Sequence, residues 1–440
     1  MPQNDEQMRR RQQKREAMRQ KQKAQARRLR LTLLVAVLVL GACGAGLWYL
    51  TRGAKDSTQP VLATEAPTIA PTEAAETTKP PSPVNRNPIS KIHIRAAGDL
   101  NVTDSVITSG IAARDYDFTG AFKDVAAVLS DADITVMNFE GNAYGEPYGS
   151  ATSSAPQRLL EDLRGCGVDL LQMANSCSIN NGLNGLTATL QSIRAAGIEP
   201  LGAYSSDAEF KSSKGYTIVE ANGIKVAFVA FTKGLGGRGM PAGSENLVNL
   251  LYEDYDSNYQ KVDKEGIEAI LKNVEAAKPD LTVAMVHWGS EYNDDISSTQ
   301  EQIVSLMQKR GVDVILGTHP HTLQPIEYNP AKGTLVAYSL GDFYGDANRG
   351  ATNYSIILDM EITKDASTGT TKVTGYSYTP IYTVRSSECP DEKQRVVRIE
   401  KALQAYQANY LDKVTDDCQK SMLKAMTRIE ERLVMPKEKK

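Results

Sequence analysis

Histidine is scarce in this chain, with four in 440 residues. There are five cysteines, widely spaced and without a C-x-x-C, which excludes a disulfide scaffold and a zinc finger. No surplus of basic charge exists. The formal net charge is -3, which argues against nucleic acid as a partner. No G-x-S-x-G elbow occurs, so a serine hydrolase is a poor reading. No Walker pattern occurs either. The glycine-rich run Lys233–Gly239 follows an apolar stretch and reads equally as an anion cradle or a flexible surface loop. There is no internal repeat. Charge of either sign is missing from Leu31 to Leu50, LTLLVAVLVLGACGAGLWYL.

That uncharged run follows a basic arm. Residues 1–30 carry eleven Lys/Arg against three Asp/Glu. Twenty residues at ~1.5 Å rise reach ~30 Å, the thickness of a bilayer core. The sequence therefore predicts a transmembrane helix over 31–50 with a cytoplasmic basic arm (1–30) on anionic headgroups. The remainder is then extracellular, at the cell membrane. Trp48 and Tyr49 stand at its far end, where amphipathic rings favour the headgroup level. A lipoprotein processed at Cys43 is the alternative, but the sequence after Cys43 stays apolar. Residues 51–88 form a Pro/Thr-rich linker, too poor in apolar side chains to fold, and read as a disordered stalk.

From Lys91 apolar, β-rich runs alternate with amphipathic stretches, which implies an α/β fold with much parallel or mixed sheet. After His321 strands follow one another, as antiparallel additions do. The last fifty residues hold two helical stripes, Ile399–Leu403–Tyr406–Tyr410 and Met422–Met426–Ile429–Leu433. The expected domain runs over 89–385, with a helical extension over 386–440.

Polar residues interrupt the apolar runs at their C-terminal ends. Five such clusters are Gly98–Asn101, Asn138–Glu140, Asn175–Cys177, His287–Glu291 and His319–His321. Ligands bind beyond the carboxyl ends of strands in open α/β sheets. Asp99, Glu140, Asn175, His287, His319 and His321 are therefore expected to be neighbours in space. A lone His-x-His is more often incidental than a metal site, but three of four histidines at strand ends is a stronger signal. In an extended chain His319 and His321 would point to the same side. Imidazole with carboxylate oxygen suits a divalent transition metal such as Zn, Mn or Fe. His93, inside a strand, reads as structural.

The stretches AAGDLNVTDS, TVMNFEGN, LQMANSCSINNG, VHWGSEY, VDVILGTHPHTLQPIE and VAYSLGDF, in this order over about residues 91–345, resemble the capsule-synthesis CapA family, whose domain is similar to calcineurin-like metallophosphoesterases. The resemblance implies a four-layer α-β-β-α sandwich, with two ions at the strand ends. Asp99, Glu140, Asn175, His287, His319 and His321 would be ligands, and Glu291 and Asp342 would face the substrate or support the ligands. It also implies a membrane-anchored role in biosynthesis or export of a poly-γ-glutamate-type capsule, with capsule or cell-wall polymer and other capsule-synthesis membrane proteins as partners. The alternative is an active metal-dependent hydrolase, a phosphoesterase or amide hydrolase, acting on a surface polymer or its precursor.

The chain departs from the family's Ala-Asn-Asn-His-x-x-Asp-x-Gly. Cys177 stands at the histidine position and Asn180 at the aspartate position, so the general acid of the related phosphoesterases is expected to be lost. Asn101 stands where phosphoesterases often place a histidine ligand. SLGDF, for SLGNF, adds Asp342. Cys177 as a papain-like nucleophile is a weaker reading of the same position.

Overall fold

The structure is a computed structural model that describes residues 88–389, 392–408 and 414–435. The basic arm, the expected membrane span with Cys43, and the linker up to residue 87 lie outside the described residues. So does Tyr410. No helix among the described residues is long and apolar enough to cross a membrane.

Among the described residues, two sheets and ten α-helices make a mixed α/β fold. The first sheet holds β1 (Ile89–Asn101), β2 (Ile134–Glu140), β3 (Leu170–Gln172), β4 (Glu199–Leu201), β11 (Asp342–Tyr344), β12 (Tyr354–Asp365), β13 (Thr370–Val384) and β14 (Arg395–Arg398). Its order is β14-β13-β12-β1-β2-β3-β4, with β11 pairing β1 off that path. The second sheet holds β5 (Thr217–Ala221), β6 (Ile224–Thr232), β7 (Leu281–His287), β8 (Val314–Thr318), β9 (Leu323–Asn329) and β10 (Thr334–Leu340). Its order is β5-β6-β7-β8-β10-β9. The helices are α1 (Asp104–Gly110), α2 (Thr119–Phe122), α3 (Ala126–Ser130), α4 (Gln157–Gly165), α5 (Gly182–Ala195), α6 (Asp207–Ser213), α7 (Lys264–Ala277), α8 (Ser298–Lys309), α9 (Ile399–Gln407) and α10 (Asp416–Leu433).

The central strands of both sheets run parallel, β1 to β4 in one and β6-β7-β8-β10 in the other. Period-two alternation divides the second sheet's side chains between two apolar layers. Val226, Phe228, Ala230, Val283, Met285, Val314 and Leu316 join the core that contains the first sheet. Ala227, Val229, Phe231, Ala284, Val286 and Ile315 meet Ile267, Leu271 and Val274 of α7 and Ile303 and Met307 of α8. Strands buried on both faces read as continuous apolar runs, as in VAFVAF and VDVIL. The late strands add antiparallel edges, β12 and β13 beside β1 and β9 beside β10. The C-terminal stripes are helices α9 and α10. The same tail also contributes β14 to the first sheet, beside β13. Cys418, Met422 and Ile429 of α10 enter the main core.

One device recurs at the entry of four parallel strands. Asp133, Asp169, Asp280 and Asp313 each directly precede a strand. Each donates its N–H to a backbone carbonyl of a neighbouring strand, and its carboxylate accepts that same residue's N–H. The partners are His93 (2.7 Å to the carboxylate), Thr135 (2.9 Å), Lys225 (2.8 Å) and Thr282 (2.9 Å). The strand ends thus begin in register without an orphaned amide, each bond worth about 1 kcal/mol. This is why an Asp stands at the head of DITVMNFE, DLLQMAN, DLTVAMVH and DVILGTH.

Asp313 carries a cost. Burial pushes its carboxyl up to about 6, against the opposing pull of the Thr282 N–H. A raised carboxyl stabilises the fold below its unfolded value near ~3.9 and loses that contribution as pH rises through about 6. Asp313→Asn keeps an acceptor oxygen without the ionisation penalty. Its melting temperature relative to wild type is expected to rise between about pH 4 and pH 7. A difference that stays constant over that range would contradict the assignment.

Candidate metal centre

The site lies where the carboxyl ends of the two sheets meet. The first sheet supplies oxygen and amide groups: Asp99 and Asn101 from β1, Asn138 and Glu140 from β2, Asn175 after β3, and Asp342 from β11. The second supplies imidazoles: His287 ending β7, with His319 and His321 just after β8.

Two glycines set the seam. β1 pairs with β12 as far as Ala97, then turns to pair in parallel with β11, which places Asp99 against Asp342. The Asp99 N–H donates to the Gly341 carbonyl at 2.9 Å. A Cβ on Gly98 would lie 1.7 Å from that same oxygen, so only glycine fits. Gly341, at φ +69, carries the chain from β10 in the second sheet into β11 in the first.

His319 and His321 do converge, but not as an extended chain would bring them together. Their φ values are +92 and +60, in a bend between β8 and β9, and this replaces the same-side-of-a-strand expectation. Residues other than glycine rarely hold positive φ, which costs of order 1–3 kcal/mol each. The bend is held from both sides. The His319 N–H donates to Asp99 Oδ2 at 3.1 Å, and the Pro320 carbonyl accepts the Tyr292 N–H at 2.8 Å. The ring centroids of His319 and His321 are 6.0 Å apart, and those of His287 and His319 are 4.4 Å apart.

Around these rings the partners are specific. His287 Nδ1 meets Thr232 Oγ1 at 3.1 Å, and its Nε2 lies 3.3 Å from Glu140 Oε1. The Ser176 hydroxyl also donates to Glu140 Oε1. His321 Nδ1 lies 2.9 Å from Asp342 Oδ1 and 3.5 Å from Asp99 Oδ2. Asn101 donates to Asp342 Oδ1 at 2.8 Å. Asn138 donates to Asp99 at 2.7 Å and accepts from Asn175 at 3.0 Å. The Asn175 oxygen accepts the Cys177 N–H at 3.0 Å, so this side chain is already engaged in local bonds.

Electrostatics separate the two neighbouring imidazoles. Burial, with His287 alongside, holds His319 well below the ordinary range, so it is neutral. Burial also penalises charged His321, but Asp342 and Asp99 outweigh it and hold His321 well above that range. Burial pushes Asp342 up to about 6 against the pull of His321. For Glu140 burial is opposed by His287 first, then by His321, which keep the carboxyl ionised.

Among the imidazoles and carboxylates, Glu140 Oε2 and His319 Nδ1 are buried without a hydrogen-bond partner, as is Asn180 Oδ1 at the edge of the centre. Buried polar atoms are nearly always partnered, and each exception calls for a cause. Ligand atoms of Glu140, His287 and His319 lie within 4.8 Å of one another, as do those of Asp99, Glu140 and His321, and of Glu291, His319 and His321. Imidazole nitrogen and carboxylate oxygen at such spacing fit a divalent transition metal. Glu291 is exposed, whereas the other five side chains in these groups are buried.

Cys177 and Asn180 sit at the edge of this centre, linked through Ser153. Asn180 donates to the Ser153 hydroxyl at 3.1 Å, and Ser153 also bonds Cys177. Burial, with Glu140 nearby, pushes the Cys177 thiol up to about 12, which removes the thiolate that a nucleophile needs. A cavity of about 330 Å³ opens beside Cys177, His321 and Asp342, walled further by Tyr292 and Arg349. The glycine-rich run after β6 borders the same region. A Cβ on Gly236 would lie 3.1 Å from the Ser176 carbonyl, and Lys233 donates to the Gly289 carbonyl at 2.6 Å. Ser153, Tyr292 and Arg349 escaped the sequence reading. Tyr292 directly follows the polar cluster His287–Glu291, whereas Ser153 and Arg349 stand in loops without periodicity.

Comparison with known proteins shows the family of the chain. The model of the family described as "Bacterial capsule synthesis protein PGA_cap" matches residues 93–347, more than half of the chain. The chain belongs to this family of bacterial capsule synthesis proteins. It is 30% identical over 264 residues to the PGA biosynthesis protein CapA of Bacillus subtilis (strain 168), covering 58% of this chain and 63% of that protein. It is 27% identical over 294 residues to the capsule biosynthesis protein CapA of Bacillus anthracis, covering 64% of this chain and 66% of that one. The matches thus span just under two thirds of each relative. Among solved structures, a calcineurin-like phosphoesterase, YfkN of Bacillus subtilis, aligns with a TM-score of 0.41 at 16% identity, over 78% of this chain and 98% of that chain. A phosphatase of Mycoplasma pneumoniae aligns with a TM-score of 0.41 at 14% identity, over 67% and 94%.

The strain in the bend gives a prediction. At position 319 glycine and alanine both remove the imidazole, but only glycine relieves φ +92. His319→Gly is expected to be more stable than His319→Ala by about 1 kcal/mol in chemical denaturation of the metal-free protein, the reverse of the usual order. Equal stability, or a more stable alanine variant, would show that the backbone there is unstrained.

Proposed function

We propose that this protein acts in capsule polymer synthesis or export at the bacterial surface, and that its strand-end centre holds one or two divalent transition metals. In this reading the fold is a four-layer α-β-β-α sandwich of the metallophosphoesterase type. Residues 31–50 anchor the chain, the basic arm stays in the cytoplasm, and the α/β domain faces outward beside the polymer and the other capsule-synthesis membrane proteins. The observation that carries the metal reading is the pair of orphaned buried atoms, Glu140 Oε2 and His319 Nδ1, set among converging imidazoles and carboxylates.

Glu140, His287, His319 and Asp99 would hold the ions, joined by His321 once it releases the proton it carries in the metal-free chain, with Asn175 and Asn138 fixing the loops around them. A bound divalent cation supplies Lewis acidity, which activates water and offsets charge on a phosphoryl or acyl oxygen. Thr232 orients His287 through Nδ1 and so aims Nε2 at Glu140. Asn101 and His321 fix Asp342, and Asp99 fixes the bend that carries His319.

The chain's own groups favour binding over fast turnover. Cys177 and Asn180, tied through Ser153, stand where related phosphoesterases place a histidine and its carboxylate. General acid help is commonly worth ~10²–10⁴ in rate, so a metal-dependent hydrolase lacking it would be slow. The active hydrolase is the second reading, favoured by the intact imidazole and carboxylate cluster.

Three measurements test these statements. The detergent-solubilised full chain, dialysed against Zn or Mn, is expected to retain at least one equivalent of metal by mass spectrometry. His319→Ala combined with His321→Ala loses it while circular dichroism stays unchanged. A wild-type chain that takes up neither metal ends this reading, and turnover of an activated phosphodiester by the loaded protein separates the slow centre from a competent hydrolase. For topology, a cysteine placed at Thr72 is expected to react with a membrane-impermeant reagent on whole cells, and silence at that position when inverted vesicles label would reverse the orientation.

A further inference from the structure

We propose that Arg349 selects ligands that carry an oxyanion, a carboxylate or a phosphate, and that it does so from the outer end of a stacked column running Arg349–Tyr292–His321. The inference rests on the proposed metal centre for what lies at the inner end of the column.

The column is geometric. The Arg349 guanidinium carbon lies 4.2 Å from the centroid of the Tyr292 ring. That ring stacks on the His321 imidazole at 5.4 Å between centroids and 29° between planes. Tyr292 is held in place by its own backbone, at φ +60 with its N–H on the Pro320 carbonyl. The platform under Arg349 is therefore built on the same bend that carries the two histidines.

A guanidinium stacked through its face keeps its edge donors in a fixed fork, the geometry that matches a carboxylate or phosphate. Among the described residues no carboxylate pairs with Arg349, an exposed side chain on the wall of the cavity of about 330 Å³. Each acidic group on that wall has a partner other than Arg349. Asp346 accepts from Ser105 at 2.7 Å, Asp342 takes Asn101 and His321, and Glu140 takes Ser176 at Oε1, while its Oε2 stays unpartnered toward the candidate centre. Neutral donors complete the wall, among them Thr103, Ser150 and Asn348. A cation whose fork is open, on a platform that reaches the candidate centre, is placed to hold an anionic group one side chain away from it.

The test uses the detergent-solubilised, manganese-loaded full chain and three fluorescein-labelled tetrapeptides, of aspartate, asparagine and phosphoserine, read by anisotropy. The aspartate peptide is expected to bind and the asparagine peptide to bind much more weakly. Arg349→Ala is expected to weaken aspartate binding by about tenfold, since it removes a charge-assisted bond worth about 1.4 kcal/mol at that factor. Arg349→Lys falls between, and Tyr292→Leu loses as much as Arg349→Lys while Tyr292→Phe does not. Metal content stays unchanged in the Arg349 variants. A phosphoserine peptide that binds more tightly than aspartate, and with the same Arg349 dependence, assigns the site to phosphate; the reverse order assigns it to carboxylate. Equal binding of aspartate by wild type and Arg349→Ala, or equal binding of asparagine and aspartate, overturns the proposal. A chain that holds no metal yet shows the Arg349-dependent preference removes the metal reading and leaves this one standing.

Discussion

The contact on which this molecule turns is the approach of two glycines, Gly98 and Gly341. There the first sheet's leading strand gives up one partner, β12, and takes another, β11. No side chain fits at Gly98, because the Gly341 carbonyl occupies the space where its Cβ would be. The consequence is chemical as much as architectural. Asp99 and Asp342 come side by side, Asp99 receives the amide of His319, and Asp342 receives the ring of His321. Carboxylates rooted in one sheet are thereby set against imidazoles rooted in the other.

The balance of charge follows from that seam. Ring and carboxylate crowd together with their side chains buried, so each proton counts heavily. His321 sits between two carboxylates and keeps its proton. His319, facing His287 and buried, gives its proton up. A neutral imidazole with an unpartnered nitrogen beside an unpartnered carboxylate oxygen is the donor pair a cation takes. The backbone strain at both histidines belongs to the same economy, since strained residues persist where surrounding bonds over-determine them.

Much of this was legible in the sequence. The alternation of apolar runs and amphipathic stretches indicated the α/β fold, and the later run of strands indicated the antiparallel edges. The polar clusters at five strand ends indicated which residues meet, because a strand's end is fixed by where its apolar run stops. Three matters were not legible. The conformation of His319-Pro320-His321 depends on bonds from Asp99 and Tyr292, which are distant in sequence, so a local rule about extended chains failed there. The β14 strand is four residues long and is defined by its pairing with β13, so it left no pattern of its own. The Arg349–Tyr292–His321 column joins a loop residue to two others 57 and 28 positions away, with no periodic signal at any of the three.

Anomalous diffraction from crystals of the α/β domain grown with manganese tests the central claim most directly. A peak at the manganese edge within coordination distance of Glu140, His287 and His319 is the predicted result. Density there with no anomalous signal, while the protein is folded and the manganese is in excess, would contradict it.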